Sequence, residues 1–340
     1  MARRNRPWLI YALGGGWGHL TRAASLARAA KQRHRVRVLS NSQYARQVAS
    51  ATPELDLVAL DPSLEAAEVR RRVIEEIEVF DPGCLIVDTF PRGLGGELAG
   101  LIASMTATRV LVHRDLSPRY VAQCGLRSFV QSVYDLILIP GENEAGVFAD
   151  LPAARITKPW LIRDPTPRQR RGKYSVLVCA SGNATELAWY GATVSNLQTL
   201  YPSVDVRCVA PVCPPGCLKD CWIAHWPAAD LYPAARVVIG GAGYNTIHEC
   251  LCWEIPLIAR PWPRKYDRQW LRARRAAKLG SVRIVKTPEE AAHAAVRQLK
   301  ELRVRRRIVS FENGTIEAAA LIEHACARAF SAPPFRSAYP

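Results

Sequence analysis

Two stretches of this 340-residue chain place reactive side chains on glycine-rich turns. The first is Gly14-Gly15-Gly16-Trp17-Gly18-His19, set between the apolar run PWLIYAL and the helix-spaced run LTRAASLARAAKQ. Glycines there let backbone amides approach a ligand, and a following helix N-terminus favours negative charge, so Gly16 and Gly18 are candidate contacts. His19 closes the turn with a side chain whose proton affinity lies near neutrality, suited to taking the proton of an attacking hydroxyl. The alternative role of an imidazole at this place is to cap the helix or contact a phosphate. Two aspartates end later apolar runs, Asp88 in CLIVDTF and Asp115 in LVHRDLS. Either orients His19 as a carboxylate orients a catalytic imidazole, or simply caps a turn.

The second stretch is Gly240-Gly241-Ala242-Gly243-Tyr244-Asn245-Thr246-Ile247-His248-Glu249, which follows the strand-like ARVVI. Amides at Gly241, Ala242 and Gly243, with Asn245 and Thr246 in the first helical turn, form a cradle for a diphosphate. Glu249 lies one and a half turns into that helix, within reach of a ribose diol. Its neighbours Ile247, Cys250, Leu251 and Trp253 are apolar, and a buried acid requires a partner.

These turns need a scaffold, and the pattern between them supplies it. RVRVLSN, LDLVALD, CLIVDTF, TRVLVHRD and VYDLILIPG read as strands after PWLIYAL. EAAEVRRRVIEEIEVF and the small-residue GLGGELAGLIASM read as helices between them. Such alternation predicts an α/β protein with doubly wound parallel sheets. The Pro- and Arg-rich residues 159–172 lack a hydrophobic period and read as a linker. A second α/β series follows with YSVLVCASG, VDVRCVAP, CWIAHW, ARVVIGGAG and PLIARPWP. The expected organisation is a first domain at 1–158 and a second at 173–318. A C-terminal helix or tail at 319–340 is able to pack back on the first.

Composition narrows the function classes. A chain of 340 residues with 49% hydrophobic residues is long enough for two cores and is not a disordered polymer. The apolar stretch near the start, Trp8 to Leu13, is too short for a membrane span or a signal peptide, which predicts a cytoplasmic protein. The formal net charge of +16 draws anions: nucleotide diphosphates, an anionic membrane face or nucleic acid. Nucleic acid is disfavoured because no RNP-type aromatic motif or zinc finger accompanies the charge. A peripheral contact with an anionic inner membrane face would use the Arg-flanked apolar stretch CGLRSFVQSV at 124–133. Cys208, Cys213, Cys217 and Cys221 are spaced without the tight pairs of zinc ribbons and read as free thiols. A dinucleotide fingerprint fails twice: His19 holds its sixth position, and the second strand ends in Ser40-Asn41 without an acid.

With these motifs in place, the chain resembles the MurG-like glycosyltransferases, the group around the N-acetylglucosamine transferase of peptidoglycan synthesis. It is similar above all to bacterial predicted glycosyltransferases of that superfamily. The resemblance runs through GGGWGH, FPRGLGGEL beside VDT, the ASG turn, and GGAGYNTIHECLCWEIPLIARPWP with Asp267 and Gln269 after it. It implies the GT-B architecture, two Rossmann-like domains facing a central cleft. It also implies inverting transfer of a hexosyl or N-acetylhexosaminyl group from a nucleotide-diphosphate sugar, UDP first, to an acceptor hydroxyl.

By that resemblance His19 is the candidate base, Gly241, Ala242 and Gly243 the diphosphate loop, and Glu249 the ribose acid. Ser181 and Gly182 form the opposing turn, and Ile223 lies in the segment whose backbone reads the base. Asp267 and Gln269 contact donor hydroxyls, although Arg268 separates two positions that the family usually keeps adjacent. No Asp-x-Asp pair occurs, so no divalent metal and no cofactor beyond the co-substrate is expected. The rival readings are a nucleotide-sugar hydrolase or epimerase on the same scaffold, and a noncatalytic nucleotide- or nucleic-acid-binding protein.

Overall fold

The computed structural model describes residues 6–114, 116–141, 146–164, 173–301 and 312–331. The chain divides into two compact units, one holding residues up to Trp160 together with Asn313 onward, the other Leu161–Glu312.

The first unit opens with β1 (Trp8–Tyr11), α1 (Trp17–Ala30), β2 (Val36–Ser40), α2 (Ala45–Ala51), β3 (Asp56–Ala59) and α3 (Ala66–Phe80). There follow β4 (Cys84–Asp88), β5 (Thr108–Val112), the short helices α4 (Pro118–Gln123) and α5 (Leu126–Val133), β6 (Leu136–Pro140) and β7 (Ala154–Thr157). Its strands form one parallel sheet in the order β3-β2-β1-β4-β5-β6-β7. Every residue of β1, β4 and β6 is buried, as expected where helices cover both faces of a parallel sheet. The edge strands β3 and β7 are largely uncovered.

The second unit repeats the plan with β8 (Tyr174–Cys179), α6 (Ala184–Leu200), β9 (Val206–Val209), β10 (Trp222–Ile223), β11 (Ala235–Gly241) and α7 (Tyr244–Cys252). It continues with β12 (Leu257–Arg260), α8 (Gln269–Lys278), β13 (Val282–Ile284) and α9 (Pro288–Glu301). The parallel order is β10-β9-β8-β11-β12-β13. Helix α6 is capped by Asn183, whose side chain accepts from Glu186 N at 3.0 Å. Helix α9 starts on a reciprocal box, with Glu290 N donating to Thr287 Oγ1 at 3.1 Å and Glu290 Oε2 accepting from Lys286 N at 2.7 Å.

The last helix, α10 (Thr315–Ser331), belongs to the first unit and packs on α1, β5 and β6. Glu323 ties it down, with its carboxylate 3.0 Å from His34 Nε2 and 3.3 Å from Arg33 Nη1. Of the expected tail, residues 332–340 lie outside the described residues, as do 165–172 of the expected linker.

One sequence expectation differs from the fold. GLGGELAGLIASM is a chain of turns rather than a helix. Gly93 and Gly96 adopt φ of 86° and 87°, and Glu97 bends back to accept from Leu94 N and Gly95 N at 3.2 and 2.7 Å. Those side-chain bonds compete with helix formation. The stretch at 124–133 forms α5 with Leu126, Val130 and Val133 buried, and Arg127 is paired with Asp150 at 2.6 Å. Among the described residues no helix is long and apolar enough to cross a membrane.

Candidate active site

In each sheet the chain runs outward to one side, then returns to pair on the other side of its first strand. The first sheet switches between β1 and β4, the second between β8 and β11. Open parallel sheets bind ligands at the carboxyl ends of strands at such a switch, and all the candidate turns lie there.

In the first unit, the turn after β1 delivers His19 in the first turn of α1, and β4 ends on Asp88. His19 Nδ1 lies 2.5 Å from Asp88 Oδ2. The ring rests over Gly14, where a Cβ would stand 2.7 Å from His19 Cδ2, and Gly14 itself adopts a φ of 145°. Phe90 stacks on the ring with centroids 5.6 Å apart. Asn41 Oδ1 accepts from Gly14 N at 2.8 Å, which fixes the turn.

The sequence reading missed the residue that completes this group. Arg22, three residues after His19 on α1, is 1% exposed and grips Asp88 with Nε to Oδ1 at 3.0 Å and Nη2 to Oδ2 at 2.8 Å. Thr89 joins through its hydroxyl, donating to Asp88 Oδ2 at 3.1 Å and accepting from Arg22 Nη2 at 3.3 Å. Its φ of 73° is unusual for a β-branched residue. Such strain persists only where surroundings enforce it, here including the bond from Thr89 N to Val112 O at 2.9 Å.

Burial pushes the Asp88 carboxyl upward, but Arg22 and the His19 hydrogen bond outweigh it and hold the group below its usual range. An ionised carboxylate only accepts, so Nδ1 carries the proton and Nε2 keeps the lone pair. Burial lowers the proton affinity of His19 itself, with Arg22 and Arg114 adding to that, against the opposing pull of Asp88. The arrangement is a neutral imidazole with its outer nitrogen basic.

In the second unit, β8 runs into Ala180-Ser181-Gly182-Asn183 and β11 into Gly241-Ala242-Gly243. The two strands pair through Gly240 and Cys179. Gly182 adopts a φ of 122°, with Glu186 folded against it. Glu186 is 4% exposed and is clasped by Arg264, Nη2 to Oε2 at 2.7 Å with Nη1 on the other oxygen. Gly243 is the N-cap of α7, with no side-chain cap hydrogen bond, and a Cβ there would meet nothing within 4 Å.

Glu249 lies on α7, 7% exposed and hydrogen-bonded to Tyr232. Burial raises its carboxyl to about 7, with Asp230 adding and the Tyr232 bond opposing. Asp267 is held by Arg272 Nη2 at 2.7 Å, and Arg272 Nη1 also donates to Ala242 O at 3.2 Å. Gln269 Oε1 accepts from Trp262 N at 2.9 Å. Behind Gly241, Tyr190 and Trp262 are joined by a 3.0 Å bond from the indole nitrogen to the phenol.

No protein-family model matches the chain, and no curated protein matches it in sequence. Solved structures do. The kitacinnamycin glycotransferase superposes with a TM-score of 0.60 at 15% identity, covering 95% of this chain and 99% of its own. MurG of Acinetobacter baumannii gives 0.57 at 15%, covering 94% and 99%. The spinosyn rhamnosyltransferase SpnG, solved with thymidine diphosphate, gives 0.57 at 15%, covering 96% and 95%. The chain has the GT-B fold.

On this GT-B framework the sequence candidates fall into separate groups. His19, Asp88, Gly16 and Gly18 gather at the β1–β4 switch. Ser181, Gly182, Gly241, Ala242, Gly243, Asn245, Thr246 and Glu249 gather around the β8–β11 switch. Asp267 and Gln269 flank the start of α8, and Ile223 lies on the short edge strand β10, its carbonyl bonded to Ala210 N at 3.2 Å. Asp115 lies outside the described residues. Among the described residues no group of three or more His, Cys, Asp or Glu side chains is arranged to hold a metal ion. Of the four clustered cysteines, Cys217 hydrogen-bonds with Cys208, which pulls its thiol down to about 7.

Arg22, Arg264 and Arg272 escaped the sequence reading because arginine on a helix or loop ordinarily signals solvent. The available signal was local. Arg22 interrupts the small-residue run LTRAASLARAA at the spacing that shares a face with His19.

Proposed function

We propose that this chain is an inverting glycosyltransferase that moves a sugar from a nucleotide-diphosphate sugar, UDP-linked in the first instance, to an acceptor hydroxyl. The observation that carries this reading is the His19–Asp88 pair at the β1–β4 switch, with Nε2 left basic. Nε2 takes the hydroxyl proton as the acceptor oxygen bonds to the anomeric carbon. The anomeric carbon–oxygen bond to phosphate breaks, and the diphosphate leaves with the electron pair. Amides opening α7 at Gly243 and beyond meet that charge, and Glu249 accepts the ribose hydroxyls. This mechanism assigns no step to a metal, in keeping with the absence of an Asp-x-Asp pair from the sequence. The GT-B fold supports the donor class, and the thymidine diphosphate bound to SpnG makes that nucleotide the natural comparator.

The test has two parts. Thermal-shift titration with UDP, TDP, GDP, ADP and NAD is run in chelator, because ligand binding to the native state raises the melting temperature. One nucleoside diphosphate is expected to stabilise the protein and Glu249→Ala to abolish the shift. Sugar transfer from the matching donor is then expected to fall about 10²- to 10⁴-fold in His19→Ala, the usual worth of a general base. Stabilisation by NAD alone, or by no nucleoside diphosphate, sinks the proposal.

A further inference from the structure

The His19–Asp88 pair sits in a setting that a simple imidazole–carboxylate dyad does not require. A buried carboxylate beside an imidazole raises the proton affinity of the ring, which by itself favours the imidazolium over the base. Here the carboxylate is also engaged by Arg22, which shares Oδ2 with His19 and holds Oδ1 as well. Arg22 is 1% exposed, meets both oxygens of Asp88, and also bonds the hydroxyl of the strained Thr89. A buried guanidinium is expensive to desolvate, and a paired carboxylate offsets that cost.

We propose that Arg22 is a positioning residue for the His19–Asp88 pair, fixing the carboxylate so that Oδ2 receives Nδ1–H and Nε2 is the nitrogen presented to the acceptor. The assignment deepens the transferase reading and rests on it for its catalytic meaning, while its geometry stands alone. Two parallel donors from a planar fork fix a carboxylate in plane and rotation. A carboxylate so fixed offers the ring one approach, and the ring, packed against Gly14 and Phe90, turns Nδ1 to Oδ2.

Arg22 also acts through charge. The charged groups facing His19 are Asp88 from the end of β4, Arg22 from α1 itself, and Arg114 beyond β5. Arg22 offsets the field of Asp88 at the ring and repels a second proton. Its effect on His19 therefore opposes that of Asp88. A lysine retains the positive charge but has no fork, whereas methionine removes both.

The experiment follows the His19 imidazole by long-range proton–nitrogen NMR across pH 4.5 to 8.5, in wild type, Arg22→Lys and Arg22→Met. His19→Gln assigns the resonances, and no substrate is needed. Wild type is expected to show one tautomer, protonated on Nδ1, with its midpoint below 6.5. Arg22→Met is expected to raise the midpoint by at least one pH unit. Arg22→Lys is expected to keep the midpoint within half a unit of wild type but to mix the two tautomers. If the methionine variant does not fold, the lysine variant decides through its tautomer ratio. A single Nδ1-protonated tautomer in the lysine variant, or an unmoved midpoint in a folded methionine variant, overturns the assignment. The two readings separate cleanly. Expected titrations in a protein that transfers no sugar remove the proposed function and leave the positioning role intact. Wild-type titrations in both variants of an active transferase do the reverse.

Discussion

At the scale of single residues, glycine matters where something occupies the place of its missing side chain. Gly14 is such a position, because its φ of 145° excludes other residues and the His19 ring fills the Cβ space at 2.7 Å. Gly14→Ala is expected to drive the ring off Asp88. Transfer activity should fall at least about 10²-fold, in the range for loss of a general base. Backbone strain should cost about 1–3 kcal/mol of stability. Kinetics and chemical denaturation on the same preparation check both, and full activity in a stable variant refutes the packing account. The sequence made His19 and Asp88 legible because both end or follow apolar runs that read as buried strands. It did not make Gly14 legible among three consecutive glycines, since only the folded turn shows which of them lies under the imidazole. Nor did it expose Thr89, whose strain depends on contacts from α1 and β5.

At the scale of elements, the turns after β8 and β11 look alike in sequence and differ in what they must hold. Gly182 has the Glu186 carboxylate against it, with Oε2 1.7 Å from where a Cβ would be, and a φ of 122°. Gly243 has an ordinary φ of −66° and open space around it. Gly182→Ala is therefore expected to break the Glu186–Arg264 clasp and lower stability by about 1–3 kcal/mol, as strained substitutions do. Gly243→Ala should change stability by less than about 1 kcal/mol, the gain through the unfolded chain being offset by alanine's poorer fit at an N-cap. Yet it should weaken nucleoside diphosphate binding, because a methyl group would stand where the helix amides receive phosphate. Melting curves with and without nucleotide distinguish the two, and undiminished nucleotide binding in Gly243→Ala moves the diphosphate away from α7. Long elements were readable because strand and helix periods persisted through them. The short ones were not. Edge strand β7 carries ARIT with two exposed residues, and β13 is three residues with an arginine in the middle, so neither shows an apolar run. The helix expected at 93–105 had helical spacing of small residues, and its glycines and Glu97 turned the backbone elsewhere.

At the scale of the whole molecule, the two units carry titrating groups that respond to acid in opposite directions. In the first unit His19 has a lowered proton affinity. The unfolded chain then takes up a proton first, and stability is lost as pH falls below about 6.5, the unperturbed value. In the second unit Glu249 is raised to about 7. It stays neutral in the fold while the unfolded chain ionises from about 4.5 upward. Stability there is fully present below that value and is lost as pH rises to 7, by on the order of 3 kcal/mol. The thiol of Cys217 in the same unit is lowered by its hydrogen bond with Cys208 and so adds stability as pH rises, equally in wild type and in a Glu249 variant. Comparing each unit with a substituted counterpart cancels the remaining carboxylates. Glu249→Gln is expected to melt with wild type at pH 5 and several degrees above it at pH 8. His19→Gln should show the reverse slope, losing ground to wild type as pH climbs from 5 to 7. A pH-independent gap between Glu249→Gln and wild type would mean that Glu249 is ionised in the fold and already partnered. That result would also remove the reason to expect nucleotide affinity to strengthen through pH 7, where a carboxylate freed of its proton first becomes able to accept both ribose hydroxyls.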